Sequence, residues 1–508
     1  MKSKFLIISA LILIIGVVFR LFLTADGSFL FNMDNARDFV DIREMVELHK
    51  LRLTGPTSAI EGLYTGPLWY YILAIPYILM KGDPYGAILT QILFWVIGGI
   101  ALLKLTSIIG KWLIIPVGLV WVGSNYIVLA NLYSFNPNPV TLLSPALIFT
   151  IYKFIKTKRW IWIVLSWILA GAFFNFEMNF GVWTPLIIFF SLFLIDKKLL
   201  LRKSFFLGVS LSFLFVVPQI LFDLKHNYIM SKGILKFLSE EKGSGFNPIK
   251  RILPMYESFY NVFVATLMNQ KLLSQVLLIL AVPAMKVFFS KNEKNIIARI
   301  ALLYILIPYV GYLLIQVTVN PWHLGGPASA SLIVIAFILK SLWDLNPIGK
   351  FSALTLSFFL ILYPIINIGN YFINDRSKPN LDPSLYKNEI SAIDYVYKVA
   401  NGKNFKVYTY LPSVYDYPYQ YLFWWYGQKK YGYIPGEYVY SPNKPQYIPS
   451  QDKFSGRKDN LSDLIFLIKE PDRIQMRVAW ENDYKNTQLL QKETLGNIEV
   501  EVRKQLAP

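Results

Sequence analysis

Between Asp26 and Glu47 the chain concentrates acids and guanidinium groups at helical spacing. Asp34, Arg37, Asp38 and Asp41 fall at i, i+3, i+4 and i+7, so a helix starting near Met33 carries all four on one stripe. Asp34 and Asp38 then sit in its first turn, where the helix dipole favours anions. Carboxylates can accept protons, and guanidinium groups bind phosphate or carboxylate as planar forks. Residue types alone leave two uses of the stripe open: a solvated helix with internal ion pairs, or a proton acceptor beside an anion-binding cation. Arg43 follows on the same segment. Further on, Glu61 and Tyr64 stand between Gly55-Pro56 and Gly66-Pro67, pairs suited to turns that return the chain to Trp69, Tyr70 and Tyr71, residues typical of a membrane interface.

Four more places combine polar chemistry with a break in an apolar run. Asn136-Pro137-Asn138-Pro139 either stops one helix and starts the next or forms a binding wall. Phe176-Glu177-Met178-Asn179 puts a lone acid at the end of an apolar hairpin. Pro218–Asn227 passes into a basic segment holding Lys225, His226 and then Lys232, for which snorkelling is the plain account. Trp322-His323 starts another apolar run, where a satisfied structural histidine and a substrate contact are equally open. Cysteine is absent, and His49, His226 and His323 lie far apart, so neither a Cys-ligated zinc nor a histidine-built metal cluster is expected.

The elements that must position these residues follow from composition. Of 508 residues, 55% are hydrophobic and only 16% charged, with mean hydropathy +0.42. An ordinary soluble domain has about 25% charged residues, so a polytopic membrane protein is expected. The net charge of +18 does not indicate nucleic acid. From Arg376 onward there are 19 Lys/Arg against 15 Asp/Glu, leaving 31 against 17 in the apolar part, as the positive-inside rule produces. Apolar runs of membrane-spanning length lie at 5–23, 84–104, 112–132, 138–155, 160–176, 180–195, 204–222, 268–289, 297–318, 323–343 and 351–371. Pro67–Met80 is too short. If it lies re-entrant or interfacial, every basic cluster faces the cytoplasm, giving eleven spans with the N-terminus inside and the C-terminus outside. Ala25–Thr65, Tyr133–Pro139, Asn175–Asn179, Asp223–Lys250 and Asn320–Pro327 then share the outer face. Residues 376–508 read as a soluble α/β or α+β domain on that face, with strands at Phe405–Tyr410, Leu464–Ile468 and Ile498–Arg503 and helices near Tyr386–Val399 and Pro471–Asn482. Residues 1–375 form the membrane module, whose outer loop 24–66 holds the acid stripe.

A span followed by an outer loop with this acid–arginine pattern, and then by Gly66-Pro67-Leu68-Trp69-Tyr70-Tyr71, resembles the GT-C glycosyltransferases, in particular glycosyltransferase family 39, with its protein O-mannosyltransferases and aminoarabinose transferases. The resemblance covers roughly residues 1–371 and is strongest within 34–71. It implies a mainly α, polytopic GT-C-type bundle with a small extracytoplasmic domain. It also implies transfer of a sugar from a polyprenyl-phosphate donor to an acceptor hydroxyl of a lipid, glycan or protein, with inversion. The family's first loop acid, a catalytic base or metal-linked acid, matches Asp34; its second, usually Glu, is Asn35. Asp34 and Asp38 are therefore the expected catalytic acids, with Asp38 orienting Arg37. Arg37, Arg43, Lys225, His226 and Lys232 are expected at the donor phosphate, and Glu61, Tyr64, Asn136, Glu177 and His323 at the substrate. A divalent cation, Mg²⁺ or Mn²⁺, could bridge Asp34 and the phosphate but is not expected to be required. A polytopic transporter or lipid-linked sugar flippase is the rival reading. It predicts ionisable residues at mid-membrane, whereas the acids here cluster in a loop.

Overall fold

The computed structural model describes residues 2–506 apart from 59, 244–246, 290–292, 316, 443–446, 457–460 and 472–475. Among them, eight helices are long and apolar enough to cross a membrane, and two bent pairs, Lys111–Gly123 with Asn125–Leu132 and Lys203–Phe213 with Val217–Lys225, raise the number to ten. The remaining expected span is Trp160–Phe176, whose 17 residues lie at the short end of the roughly 17–25 that suffice. The protein is a multi-pass membrane protein.

The first helix, α1 (Lys2–Thr24), carries a charge that its apolar character hides. Arg20 is fully buried. Its Nε donates to Asn131 Oδ1 at 2.6 Å, and its other nitrogens donate to the carbonyls of Gly16, Val122 and Trp121 at 3.2–3.4 Å. The guanidinium lies 3.9 Å from the centre of the Trp95 ring. The helix pair around Ser124 bends by 47°, which frees carbonyls from the ladder, and Arg20 occupies them. This cation holds a break in a span rather than forming part of a relay.

The acid stripe lies on α2 (Met33–Glu47), which starts at the expected residue because the Asn32 side chain accepts from Asp34 N at 3.0 Å. It is not a solvated helix: Asn35, Ala36, Asp38, Phe39, Val40, Ile42, Arg43, Glu44 and Met45 are buried. One side packs on α3 (Leu68–Leu79), the short apolar helix. Trp69 Nε1 donates to Asp38 Oδ2 at 3.1 Å, the Tyr70 hydroxyl to Asp41 Oδ2 at 2.8 Å and the Tyr77 hydroxyl to Glu47 Oε1 at 3.1 Å. A helix bonded to α2 near both of its ends lies alongside it, and its 12 residues fall short of the roughly 17–25 that a span needs.

The other side of α2 meets the C-terminal domain. There β1 (Asn404–Tyr410) pairs in parallel with β2 (Glu437–Val439) and β3 (Leu461–Lys469), and antiparallel β5 (Ile498–Gln505) joins β3 to β4 (Thr487–Leu495), giving the order β2-β1-β3-β5-β4. Helix Tyr417–Tyr426 of this domain reaches back to the turn after α3, where the Tyr421 hydroxyl donates to Gly82 O and Trp425 Nε1 to Lys81 O at 2.7 Å. The expected helix 471–482 is shorter, Arg477–Glu481, and residues 472–475 lie outside the described ones.

Candidate active site

Five chain segments, each assigned to one membrane face by the span count, converge on a cavity of about 610 Å³. Asp34 and Arg37 come from α2, and residues 56–58, Ile60, Glu61, Leu63 and Thr65 from the loop that follows it. Phe135–Pro137, Glu177–Asn179 and Asn320–His323 contribute from interhelical turns, and Gly233, Lys236 and Phe237 from helix Ile229–Gly243.

The loop stands up as a hairpin. Gly55 N donates to Thr65 O, Thr65 N to Pro56 O and Ser58 N to Leu63 O, each at 2.9 Å. Its exit passes so close to Asn175 that a Cβ on Gly66 would lie 1.9 Å from the Asn175 amide oxygen, and only glycine fits.

Asp34 is the most exposed acid of the stripe, its side chain 30% accessible against 24% for Asp41 and 1% for Asp38. Arg37 binds both: one terminal nitrogen lies 3.2 Å from Asp34 Oδ1, and Nε and the other terminal nitrogen donate to Asp38 Oδ1 at 3.2 and 3.0 Å. The second Asp34 oxygen faces the Tyr133 hydroxyl at 3.4 Å. Burial pushes the Asp38 carboxyl up to about 7, against the pull of Arg37. Burial opposes the charge on Arg37 too, yet Asp38, Tyr70 and Asp34 hold its pKa above the ordinary guanidinium value. Arg37 thus bridges the buried acid Asp38 and Asp34, which stands at the open edge of the cluster.

Glu177 lies across the cavity, 7% exposed. Its Oε1 accepts from Asn179 N at 3.0 Å, but burial dominates and raises its pKa to about 8, so the carboxyl is largely protonated at neutral pH. His323 is fixed from both sides: Nδ1 accepts from Asn320 N at 3.2 Å, and Nε2 lies 3.1 Å from the Asn179 amide. A neutral ring therefore keeps its proton on Nε2, and the amide turns its oxygen toward it. Asn136 lines the cavity while its amide donates to Phe176 O at 2.6 Å. Glu61 stands at the rim, paired with Lys236 at 3.2 Å.

A carboxyl raised in the fold binds more protons there than in the unfolded chain, so Glu177 lowers stability progressively as pH rises from about 4.5 to about 8. Glu177→Gln protein is expected to melt above wild type at pH 8–9, with the gap closing below about pH 4.5. Thermal melts in detergent across that range check this, and equal melting temperatures throughout would place Glu177 in water.

Five expected contacts lie elsewhere. The Arg43 guanidinium is fully buried, 3.8 Å from the Phe454 ring centre and 5.1 Å from that of Trp424, and so braces α2 against the C-terminal domain. Lys225 and His226 end helix Val217–Lys225 away from the cavity, the His226 ring stacked on Phe222. Tyr64 packs on Phe222 and accepts from Gln219 Nε2 through its carbonyl, holding the hairpin from behind. Lys232 also falls outside the lining, while Lys236 falls within it. Gly233, Lys236 and Phe237, at i, i+3 and i+4, share the inward face. The roles of Tyr133, Asn179 and Trp69 had no local signal.

The acids present do not form a paired-carboxylate metal site. The Asn35 amide donates to Leu30 O at 2.7 Å, and Arg37 already occupies Asp34 Oδ1. Among the described residues no three His, Asp or Glu side chains converge.

No family model matches the chain, and no curated protein sequence does. Solved structures do. ArnT from Cupriavidus metallidurans bound to undecaprenyl phosphate superposes with a TM-score of 0.58 at 11% identity, over 99% of this chain and 97% of that one. The same protein in the apo state gives 0.59 at 12%, with the same coverage. Over 99% of its length, the chain shares the fold of ArnT.

Proposed function

We propose that the protein is an inverting membrane glycosyltransferase that moves a sugar from a polyprenyl-phosphate donor to an acceptor hydroxyl. The observation that carries the reading is the cavity itself. On a fold shared with a protein crystallised with undecaprenyl phosphate, it sets a partly exposed carboxylate, Asp34, beside Arg37 and within the same walls as Lys236. The acceptor oxygen forms its bond to the anomeric carbon as the bond from that carbon to the phosphate oxygen breaks. The acceptor proton passes to Asp34, and the phosphate leaves with the bonding electrons. Arg37 and Lys236 supply positive charge for that leaving group, which needs cations more than an acid. Asp38 and Trp69 fix Arg37 from behind.

Membranes containing the protein, given a panel of labelled polyprenyl-phosphate sugars, test the reading directly. Transfer from one donor is expected, and it is expected to continue in chelator because the acids are not arranged to share a metal. No transfer from any donor argues against the reading. Loss in chelator that Mg²⁺ or Mn²⁺ restores argues for a metal on Asp34.

The site is further proposed to face away from the cytoplasm, with the N-terminus inside. With α3 lying flat, the charge pattern is satisfied by an odd number of spans. Reporter fusions at Asn370 and Lys153 are expected to show opposite sidedness, and matching signals would overturn the threading and the proposed site with it.

A further inference from the structure

The C-terminal domain contains a second cavity, about 220 Å³, beside β2 and the turn at Gln451–Lys453. Its walls include Glu437, Tyr438, Ser441, Gln451, Asp452 and Ser455. Gln451 is 2% exposed; its amide nitrogen faces the Tyr438 hydroxyl, and its amide oxygen has no hydrogen-bond partner among the described residues. The neighbouring Tyr438 hydroxyl gives its proton to Phe454 O at 2.6 Å. The two serine hydroxyls also donate elsewhere, Ser441 to Asp483 and Ser455 to the Gln451 carbonyl. Asp452 forms no ion pair among the described residues, and the Glu437 carboxylate accepts from the Tyr408 hydroxyl. A buried amide oxygen left without a partner is unfavourable unless something else satisfies it.

We propose that this cavity is a binding site for a single sugar ring of a hydroxyl-rich ligand. Sugar hydroxyls donate readily, which matches an unpaired amide oxygen and an exposed carboxylate, Asp452, that both accept. The volume lies below the roughly 300–1,000 Å³ of sites for drug-sized ligands and suits one ring. The acids turn away phosphate, so the donor lipid's head group does not fit here. A hard cation such as Ca²⁺ wants six to eight oxygens, and no three acids gather here. The site also adjoins the acid helix: the Ser450 hydroxyl bonds the Glu44 carboxylate of α2, and Phe454 stacks on Arg43. Resting on the transferase reading, the ligand is a sugar of the acceptor, held by the same short segment that braces the catalytic helix.

The test uses the full chain in detergent or nanodiscs with methyl glycosides of glucose, mannose, galactose, N-acetylglucosamine and arabinose, read by saturation-transfer NMR. At least one glycoside is expected to bind saturably. Binding is expected to fall about tenfold or more in Gln451→Leu, the factor that goes with one lost hydrogen bond. It should also fall in the exposed variant Asp452→Asn and survive in Asp34→Asn. Gln451→Leu is expected to melt no lower than wild type, since it removes an unsatisfied amide oxygen. The proposal is overturned by no binding of any glycoside, by undiminished binding in both cavity variants, by a lowered melting temperature in Gln451→Leu, or by binding that follows Ca²⁺ and disappears in chelator. Glycoside binding without transfer from any lipid donor leaves this site standing and removes the transferase reading; transfer without glycoside binding does the reverse.

Discussion

Asp34→Asn protein is expected to transfer sugar at least about 10²-fold more slowly than wild type while folding and binding donor normally. General-base assistance is worth roughly 10²–10⁴-fold, and asparagine removes it with almost no change of shape. The geometry makes the substitution clean. An amide oxygen can still accept from Arg37, and the helix start is undisturbed because the cap uses the backbone N–H of residue 34. Glu61 is 89% exposed and tied to Lys236 at the rim, and Glu177 carries a proton at neutral pH, so neither replaces the lost base. Single-turnover transfer by purified protein is the measurement. A rate near that of wild type would move the base to Glu61 or Glu177, which would be tested next.

What the sequence disclosed and what it hid divide along the range of the interactions. Span lengths and flanking charges are local, and they were enough to put five segments on one face; in the structure the same five segments wall the cavity. The start of α2 was equally legible, since Asn32 caps it from one residue away. The environment of the stripe was not. At i, i+3, i+4 and i+7, Asp34, Arg37, Asp38 and Asp41 fit a wet helix as well as a buried one. The difference comes from Trp69 and Tyr70, some thirty residues on, and from Trp424 and Phe454, nearly four hundred residues on. Arg43 reads as a phosphate ligand until those rings are placed around it. Arg20 is hidden in the opposite sense, as one cation in an apolar run whose partners appear only where another span breaks. In the C-terminal domain β4 passed unnoticed because it is an edge strand with most of its residues exposed, so no buried alternation marks it.

The largest stability effect is expected at Asp38. Its carboxylate takes two hydrogen bonds from Arg37 and one from the Trp69 indole with almost no access to water. Asp38→Ala leaves a mostly buried guanidinium held by Asp34 alone and a buried indole N–H with no acceptor. Removing one partner of a buried ion pair costs about 3–5 kcal/mol, and a loss of that order is expected in denaturation of the detergent-solubilised protein. Arg37→Met strands the acid instead, but a carboxyl already raised toward 7 by burial can take up a proton, so this loss should be smaller. The double variant Asp38→Ala/Arg37→Met removes both charges and is expected to recover part of the loss, which a double-mutant cycle would read as coupling. The two side chains also separate kinetically. Arg37→Met takes away a cation that lines the cavity, so donor KM should rise, whereas Asp38→Asn keeps Arg37 in place and should change KM little. If Asp38→Ala were as stable as wild type, Arg37 would have to be held by Asp34 and solvent. The closed, Trp69-backed pair behind the proposed base would then play no part in positioning it.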